Sequence, residues 1–188
     1  LHPSGELLAV ASGLIWAVAV ILYRISGRSV HPLGLNLFKN VLALVCTIPV
    51  LIVLGRPIWP AVPSRSLWLL LLSGFLGIAI SDTLFFYALN RLGASILAIV
   101  DCFYSPFVIG LSFLLLGERM TGWQLIGAAL IISAVFTAER SGPSERISRK
   151  DLASGLILGI LSMFFVAVGI VIAKPVLATE SVLRATFV

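Results

Sequence analysis

Residues 4–24, SGELLAVASGLIWAVAVILYR, recur 150 positions later as residues 154–174, SGLILGILSMFFVAVGIVIAK. Six positions are identical: Ser4/Ser154, Gly5/Gly155, Leu8/Leu158, Ser12/Ser162, Ala17/Ala167 and Val18/Val168. Most of the others exchange one apolar residue for another, and Arg24 meets Lys174 at the far end. Each copy is long enough to cross a bilayer, which takes about 20 apolar residues. Four further apolar runs separate the copies. The copies are therefore an odd number of crossings apart and point in opposite directions, the arrangement of an inverted internal repeat.

Composition agrees. Hydrophobic residues make up 60% of the 188 residues and charged residues 11%. Soluble domains carry about 25% charged residues, so a water-soluble fold is excluded and an all-α, polytopic membrane helix bundle is predicted. The lipid bilayer, that of the plasma (inner) membrane, is the expected surrounding of a multi-pass chain. The net charge of +5 does not point to nucleic acid, because the basic residues sit singly between apolar runs, as loop charges do. Cys46 and Cys102 fall inside apolar runs and read as packing residues. His2 and His31 lie near span ends without clustered ligands, so neither a metal nor another cofactor is expected. The first run is expected to be a span and not a cleaved leader, since no small-residue cleavage site closes it.

Six spans are predicted: Leu7–Tyr23, Pro32–Leu54, Leu67–Leu89, Ala94–Leu116, Thr121–Ala138 and Leu152–Ala173. Gly27 separates the first two. Pro57, Pro60 and Pro63 stiffen the second connection, because proline cannot continue a helix. Gly93 marks a tight turn, and Gly117 is placed to end the fourth span in a left-handed conformation. Thr121 and Gln124 have capping-box spacing. Trp59, Trp68 and Trp123 fall near span ends, where indole rings favour the headgroup region.

The register of the repeat predicts a domain plan. Residues 5–139 form a first five-span repeat, 140–151 a polar linker, and 152–188 the start of a second repeat. SVLRATFV (181–188) falls on HPLGLNLF (31–38), the opening of the second span, so the chain is expected to be a fragment of a longer one. The residue after Val188 is expected to be a basic counterpart of Lys39.

FFYALNRLGAS (85–95), Pro106, LLLGERMTGWQLIGAALIISAV (114–135) and Trp16-Ala17 together resemble the EamA domain family of the drug/metabolite transporter superfamily. The shared pattern is an aromatic-Ala-Leu turn, a helix with a central proline, a Gly-Glu-Arg turn and a glycine-containing fifth helix. The resemblance covers essentially the whole chain. It implies ten helices in two five-helix repeats when complete, and a carrier of small metabolites, amino acids or drug-like solutes. It does not specify the solute, nor does it supply an aspartate at position 101.

Ionisable groups inside a membrane are costly and mark wet cavities or bundle interiors. Lys39, Asp82 and Asp101 each lie seven residues from a predicted span end, roughly 10 Å deep at 1.5 Å per residue, and all on one side. A lysine and two aspartates at one level offset part of one another's desolvation. They predict a polar cavity along a substrate pathway, extended by Asn36, Asn40 and Tyr104. A structural ion pair that pins spans 2, 3 and 4 is the alternative. Trp16 is too deep for an interface anchor and reads either as a stacking surface for a solute or as packing. Pro106 removes one backbone hydrogen bond and reads as a hinge or as a static kink. Glu118 and Arg119 suit capping and headgroup contact. Gly155 and Gly159 have the spacing of a close helix contact.

Orientation is drawn two ways. Arg24, Arg28, Arg91, Arg140, Arg146, Arg149 and Lys150 share one side, against Arg56, Arg65 and Arg119 between the first five spans on the other. The positive-inside rule puts the first side in the cytoplasm. The resemblance implies the reverse, with both termini cytoplasmic.

The predicted function is a secondary transporter working by alternating access, two inverted halves rocking around a site near the midplane. An enzyme is not expected, since no zinc-binding His pair and no Ser/His or paired-Asp motif appears. An intramembrane enzyme or a non-transporting scaffold is the alternative. A small-molecule solute is the expected partner, nucleic acid is not, and a second copy of the chain is a further candidate.

Overall fold

The computed structural model describes residues 3–53, 55, 63–118, 121–139 and 147–179. His2, Arg56, Pro57, Trp59, Pro60, Arg119, Arg140, Arg146 and the segment 181–188, on which several sequence expectations fall, lie outside the described residues. All regular structure among the described residues is helical: α1 (Pro3–Ser26), α2 (Pro32–Val53), α3 (Ser64–Gly74), a π-helical segment (Phe75–Ile80), α4 (Ser81–Asp101), α5 (Tyr104–Leu116), α6 (Gly122–Glu139) and α7 (Arg149–Thr179). Pro32–Val53, Ser64–Asp101 and Arg149–Ala178 are each long and apolar enough to cross a membrane. Large apolar side chains cover the outside of the bundle, Trp123 at 83% and Leu7 at 71% exposure among them. Water would not tolerate so continuous an apolar surface, whereas lipid requires it.

Local chemistry sets the ends of these helices. α3, the π segment and the first part of α4 form one rod, which turns sharply at Gly93 (φ 77°, ψ 168°). Only glycine adopts that conformation without strain. Gly117 takes φ 65° at the end of α5, and the Glu118 N–H bonds back to the Ser112 carbonyl at 3.4 Å, which uses carbonyls the helix end leaves free. The Thr121 N–H donates to Gln124 Oε1 at 2.9 Å and the Gln124 N–H to Thr121 Oγ1 at 3.4 Å, the reciprocal box its spacing predicts. Ser148 and Asp151 cap α7 in a related way, with the Asp151 N–H donating to Ser148 Oγ at 3.1 Å. The fourth span is interrupted at Cys102–Phe103, and Pro106 sits in the first turn of α5. A proline there lacks the N–H that would have reached the Cys102 carbonyl.

Arg24 at the end of α1 donates to the carbonyls of Leu89 and Asn90, at 2.9 and 2.6 Å. Near the start of α7, the backbone at Gly155 lies against the side chain of Leu92. The end of α1 and the start of α7 thus meet the same turn, so the two copies of the repeat run in opposite directions.

The core lies where α7 packs on the rod and on α5, while α1 and α2 lean on α4 from the other side. Phe85, Phe86, Ala88, Leu89, Leu92, Leu97, Val100 and Met163 are buried there, with Leu35 from α2. Residues 155, 159, 162, 166, 169, 173 and 176 of α7 step by alternating fours and threes. Small residues dominate this stripe (Gly155, Gly159, Ser162, Gly169, Ala173), as close helix packing in a membrane demands. Gly169 meets Gly77 backbone to backbone. A Cβ on Gly169 would fall 2.9 Å from the Cα of Gly77 and 2.9 Å from the Ser73 carbonyl oxygen. The Ser73 hydroxyl donates to the Gly169 carbonyl at 2.8 Å across the same crossing.

Candidate functional site

The π segment immediately precedes Asp82. Its wide turns shift carbonyls out of register, and within a membrane such groups need partners from neighbouring helices. Asn36 of α2 supplies them. Its Nδ2 lies 3.3 Å from the Ile78 carbonyl, 3.2 Å from the Ala79 carbonyl and 3.0 Å from Thr83 Oγ1. Thr83 donates in turn to the Ala79 carbonyl at 2.6 Å, and Asn40 Nδ2 to Asn36 Oδ1 at 2.8 Å. A chain of amides and hydroxyls therefore fastens α2 to the irregular turn.

One helical turn further along α2, Lys39 Nζ pairs with Asp82 Oδ2. Both side chains are mostly buried, at 24% and 20% exposure. The ammonium also stands 5.9 Å from the centroid of the Phe86 ring, within cation–π range. Two neutralising charges in hydrogen-bonded contact cost far less in hydrocarbon than either alone.

Asp82 also lines a cavity of about 240 Å³ with Trp16, Ser81, Phe85, Asp101, Tyr104, Ser162, Met163 and Val166. Four parts of the chain meet here: α1 gives Trp16, α4 the residues from Ser81 to Asp101, α5 Tyr104, and α7 the last three. The Trp16 indole stands beside Asp101 on the same wall, close enough to act on its carboxylate. The Trp16 ring stands 5.9 Å from that of Phe85, centroid to centroid. Ser81 and Ser162 close the floor: Ser81 Oγ donates to the Ser162 carbonyl at 3.0 Å and Ser162 Oγ to the Ser81 carbonyl at 2.9 Å. Among the described residues no cluster of His, Cys, Asp and Glu is disposed to hold a metal ion.

The residues singled out by sequence divide into two groups. Trp16, Asp82, Asp101 and Tyr104 face one cavity, whereas Asn36, Asn40 and Lys39 form a polar seam behind Asp82. The three charges do not make a single cluster; Lys39 is engaged by Asp82, and Asp101 by Trp16. Pro106 is not among the cavity residues. Sequence reasoning passed over Ser81, Phe85, Ser162, Met163 and Val166. Ser162 had a signal, because Ser12/Ser162 is the one polar identity in the middle of the repeated span. Phe85 and Met163 carried none, since an apolar residue facing a cavity and one facing a neighbour look alike in sequence.

The chain is similar in sequence to known proteins. The model of the EamA-like transporter family matches residues 3–138. An uncharacterized transporter of Archaeoglobus fulgidus is 27% identical over 166 residues, covering 87% of this chain and 56% of that protein. The uncharacterized transporter YoaV of Bacillus subtilis is 24% identical over 137 residues, covering 70% of this chain and 45% of its own length. The chain spans about half the length of these curated relatives. No solved structure matches it at a significant level. The family match starts at the first residue of α1 and ends in the last turn of α6, and with it the chain belongs to the EamA-like transporter family, membrane transporters of the drug/metabolite type.

Proposed function

We propose that the chain is part of a secondary carrier of the plasma (inner) membrane that moves a small solute by alternating access and performs no catalysis. Residues 5–139 make its first five-helix repeat, 140–151 the linker, and 152–188 the opening of an inverted second repeat. The observation that carries this reading is the cavity. Carboxylates from the two arms of α4, one on each side of the Gly93 turn, and an indole from α1 converge on one space inside an otherwise apolar bundle. Buried polar groups with such exposure to a cavity serve solute passage more often than packing.

Trp16, Asp82, Asp101 and Tyr104 face the solute in this reading. Lys39, Asn36 and Asn40 hold Asp82 and the π turn in place, and the break ahead of Pro106 is where the fourth span flexes. Contacts across α7 refine which parts move. The serine pair, the Gly77–Gly169 crossing and the Ser73 bond join α7 to the rod of spans 3 and 4 through backbone atoms. α7 therefore travels with helices of the first repeat, and α1, held on α4 chiefly by Arg24 and by ring contacts, is the mobile wall.

The test is solute uptake and efflux by the full-length protein in proteoliposomes against a metabolite panel, with Asp101→Asn and Lys39→Ala alongside. Flux that Asp101→Asn abolishes in a folded protein is the expected result. A folded protein that moves no solute in either direction would sink the carrier.

A further inference from the structure

The carrier reading leaves the solute's chemistry open, but the polar atoms around the cavity restrict it. The two serine hydroxyls have already given their protons, each to the other's backbone carbonyl. Asp82 is matched by Lys39, which stands behind it and does not line the cavity. The Trp16 side chain is engaged with Asp101. Apart from the Tyr104 hydroxyl, little hydrogen-bond donation remains for a solute. Acceptor capacity does remain. An ionised carboxylate can accept about four hydrogen bonds, and Asp101 has no cationic partner among the described residues. Around it stand the faces and edges of Trp16, Phe85 and Tyr104, with Met163 and Val166 completing an apolar wall.

Such a lining rejects anions. A carboxylate or phosphate would face Asp101 and Asp82 with no cation among the described lining residues to answer it, and like charges brought together in a low-dielectric site repel strongly. A zwitterion fares little better, since Lys39 would have to leave Asp82 to meet its acid group. A neutral polyol would meet mostly rings. An inorganic cation would find too few oxygens, because hard cations take about six or more oxygen ligands. An ammonium on an apolar body suits every group present: the charge-assisted bond goes to the carboxylate and the body to the rings, which also attract the cation.

We propose that the cavity between α1, α4, α5 and α7 binds a small amphipathic organic cation, its ammonium paired with Asp101 and its apolar body held by Trp16, Phe85 and Tyr104. This rests on the carrier reading for its role and on the lining for its chemistry. At about 240 Å³ the cavity is below the roughly 300–1,000 Å³ usual for drug-sized ligands, so the solute is a compact monoamine.

Three probes of one shape separate the possibilities: phenethylammonium, the neutral 2-phenylethanol and the anionic 3-phenylpropanoate. Binding to the full-length protein in detergent is measured by calorimetry, and exchange flux in proteoliposomes. The expected result is at least tenfold tighter binding of the ammonium than of either other probe, with the preference lost in Asp101→Asn. The comparison among probes needs only the unaltered protein, so a variant that fails to fold does not weaken it. Equal or tighter binding of the alcohol or the anion overturns the proposal, as does undiminished ammonium binding in folded Asp101→Asn. Transport of anions or sugars but not amines overturns the cation and leaves the carrier standing. Asp101-dependent ammonium binding without flux of any solute supports the site and removes the carrier.

Discussion

Ser81 and Ser162 exchange hydrogen bonds across the α4–α7 contact, each hydroxyl donating to the other residue's backbone carbonyl, at 3.0 and 2.9 Å. Side chains 81 positions apart thereby cap one another's helix carbonyls in the floor of the cavity. Within a membrane each such bond contributes about 0.6 kcal/mol. We expect Ser81→Ala and Ser162→Ala each to lower the thermal midpoint in detergent slightly. Ser162→Leu should do far more, because position 162 has no free surface for a larger group. A Ser162→Leu protein that melts like the unaltered one would contradict the contact.

The Gly77–Gly169 crossing predicts a different asymmetry. The Cβ of Gly169→Ala meets backbone on two sides at 2.9 Å, so the helices must separate, at a cost of about 1–3 kcal/mol. The Cβ of Gly155→Ala meets instead Cδ2 and Cγ of Leu92 at 2.6 Å, side-chain atoms that yield more readily than backbone. Urea or thermal unfolding in detergent should rank Gly169→Ala well below Gly155→Ala.

The two ion pairs should differ in the same way. Lys39→Ala leaves Asp82 buried without its cation, a loss of about 3–5 kcal/mol for an interior pair, and the double change Lys39→Ala/Asp82→Ala should recover much of it. Glu118 and Lys174 pair at 2.6 Å but each is about half exposed, at 48% and 47%, and Lys174→Met should cost only about 0–1 kcal/mol. A double-mutant cycle on each pair measures the contrast.

Gly93 is the joint between the third and fourth spans. Its φ of 77° with ψ of 168° lies in a region closed to side chains, so Gly93→Ala is expected to cost about 1–3 kcal/mol. The change would also misalign Asp82 and Asp101, which sit on either side of the turn. Solute flux should therefore fall more steeply than the melting midpoint.

Orientation has a direct readout. With Cys46 and Cys102 replaced by alanine, Arg146→Cys in the full-length protein is expected to react with an impermeant maleimide in intact cells, as the family arrangement requires. Protection until the membrane is opened would put the linker in the cytoplasm, as the arginine distribution has it.

Much of the architecture was legible in residue order. Hydrophobic runs, Gly93, Gly117 and the Thr121–Gln124 box are local signals, and each acts within a few residues of itself. The π segment over Phe75–Ile80 left no comparable mark, because its widened turns depend on Asn36 from another helix for their carbonyls. The depth of Lys39, Asp82 and Asp101 could be counted from span ends. Which of them pair could not, because depth leaves each helix free to rotate about its axis.

Residue order alone commits the chain to a membrane bundle of α-helices with an inverted repeat, since apolar lengths of about 20 residues and an odd number of crossings allow little else. Packing in three dimensions is what gives Lys39 to Asp82, sets Asp101 beside Trp16 and joins α7 to spans 3 and 4. Those outcomes depend on where one helix can come closest to another. For α7 that point is Gly77 against Gly169, ninety-two residues apart, and no local pattern states it.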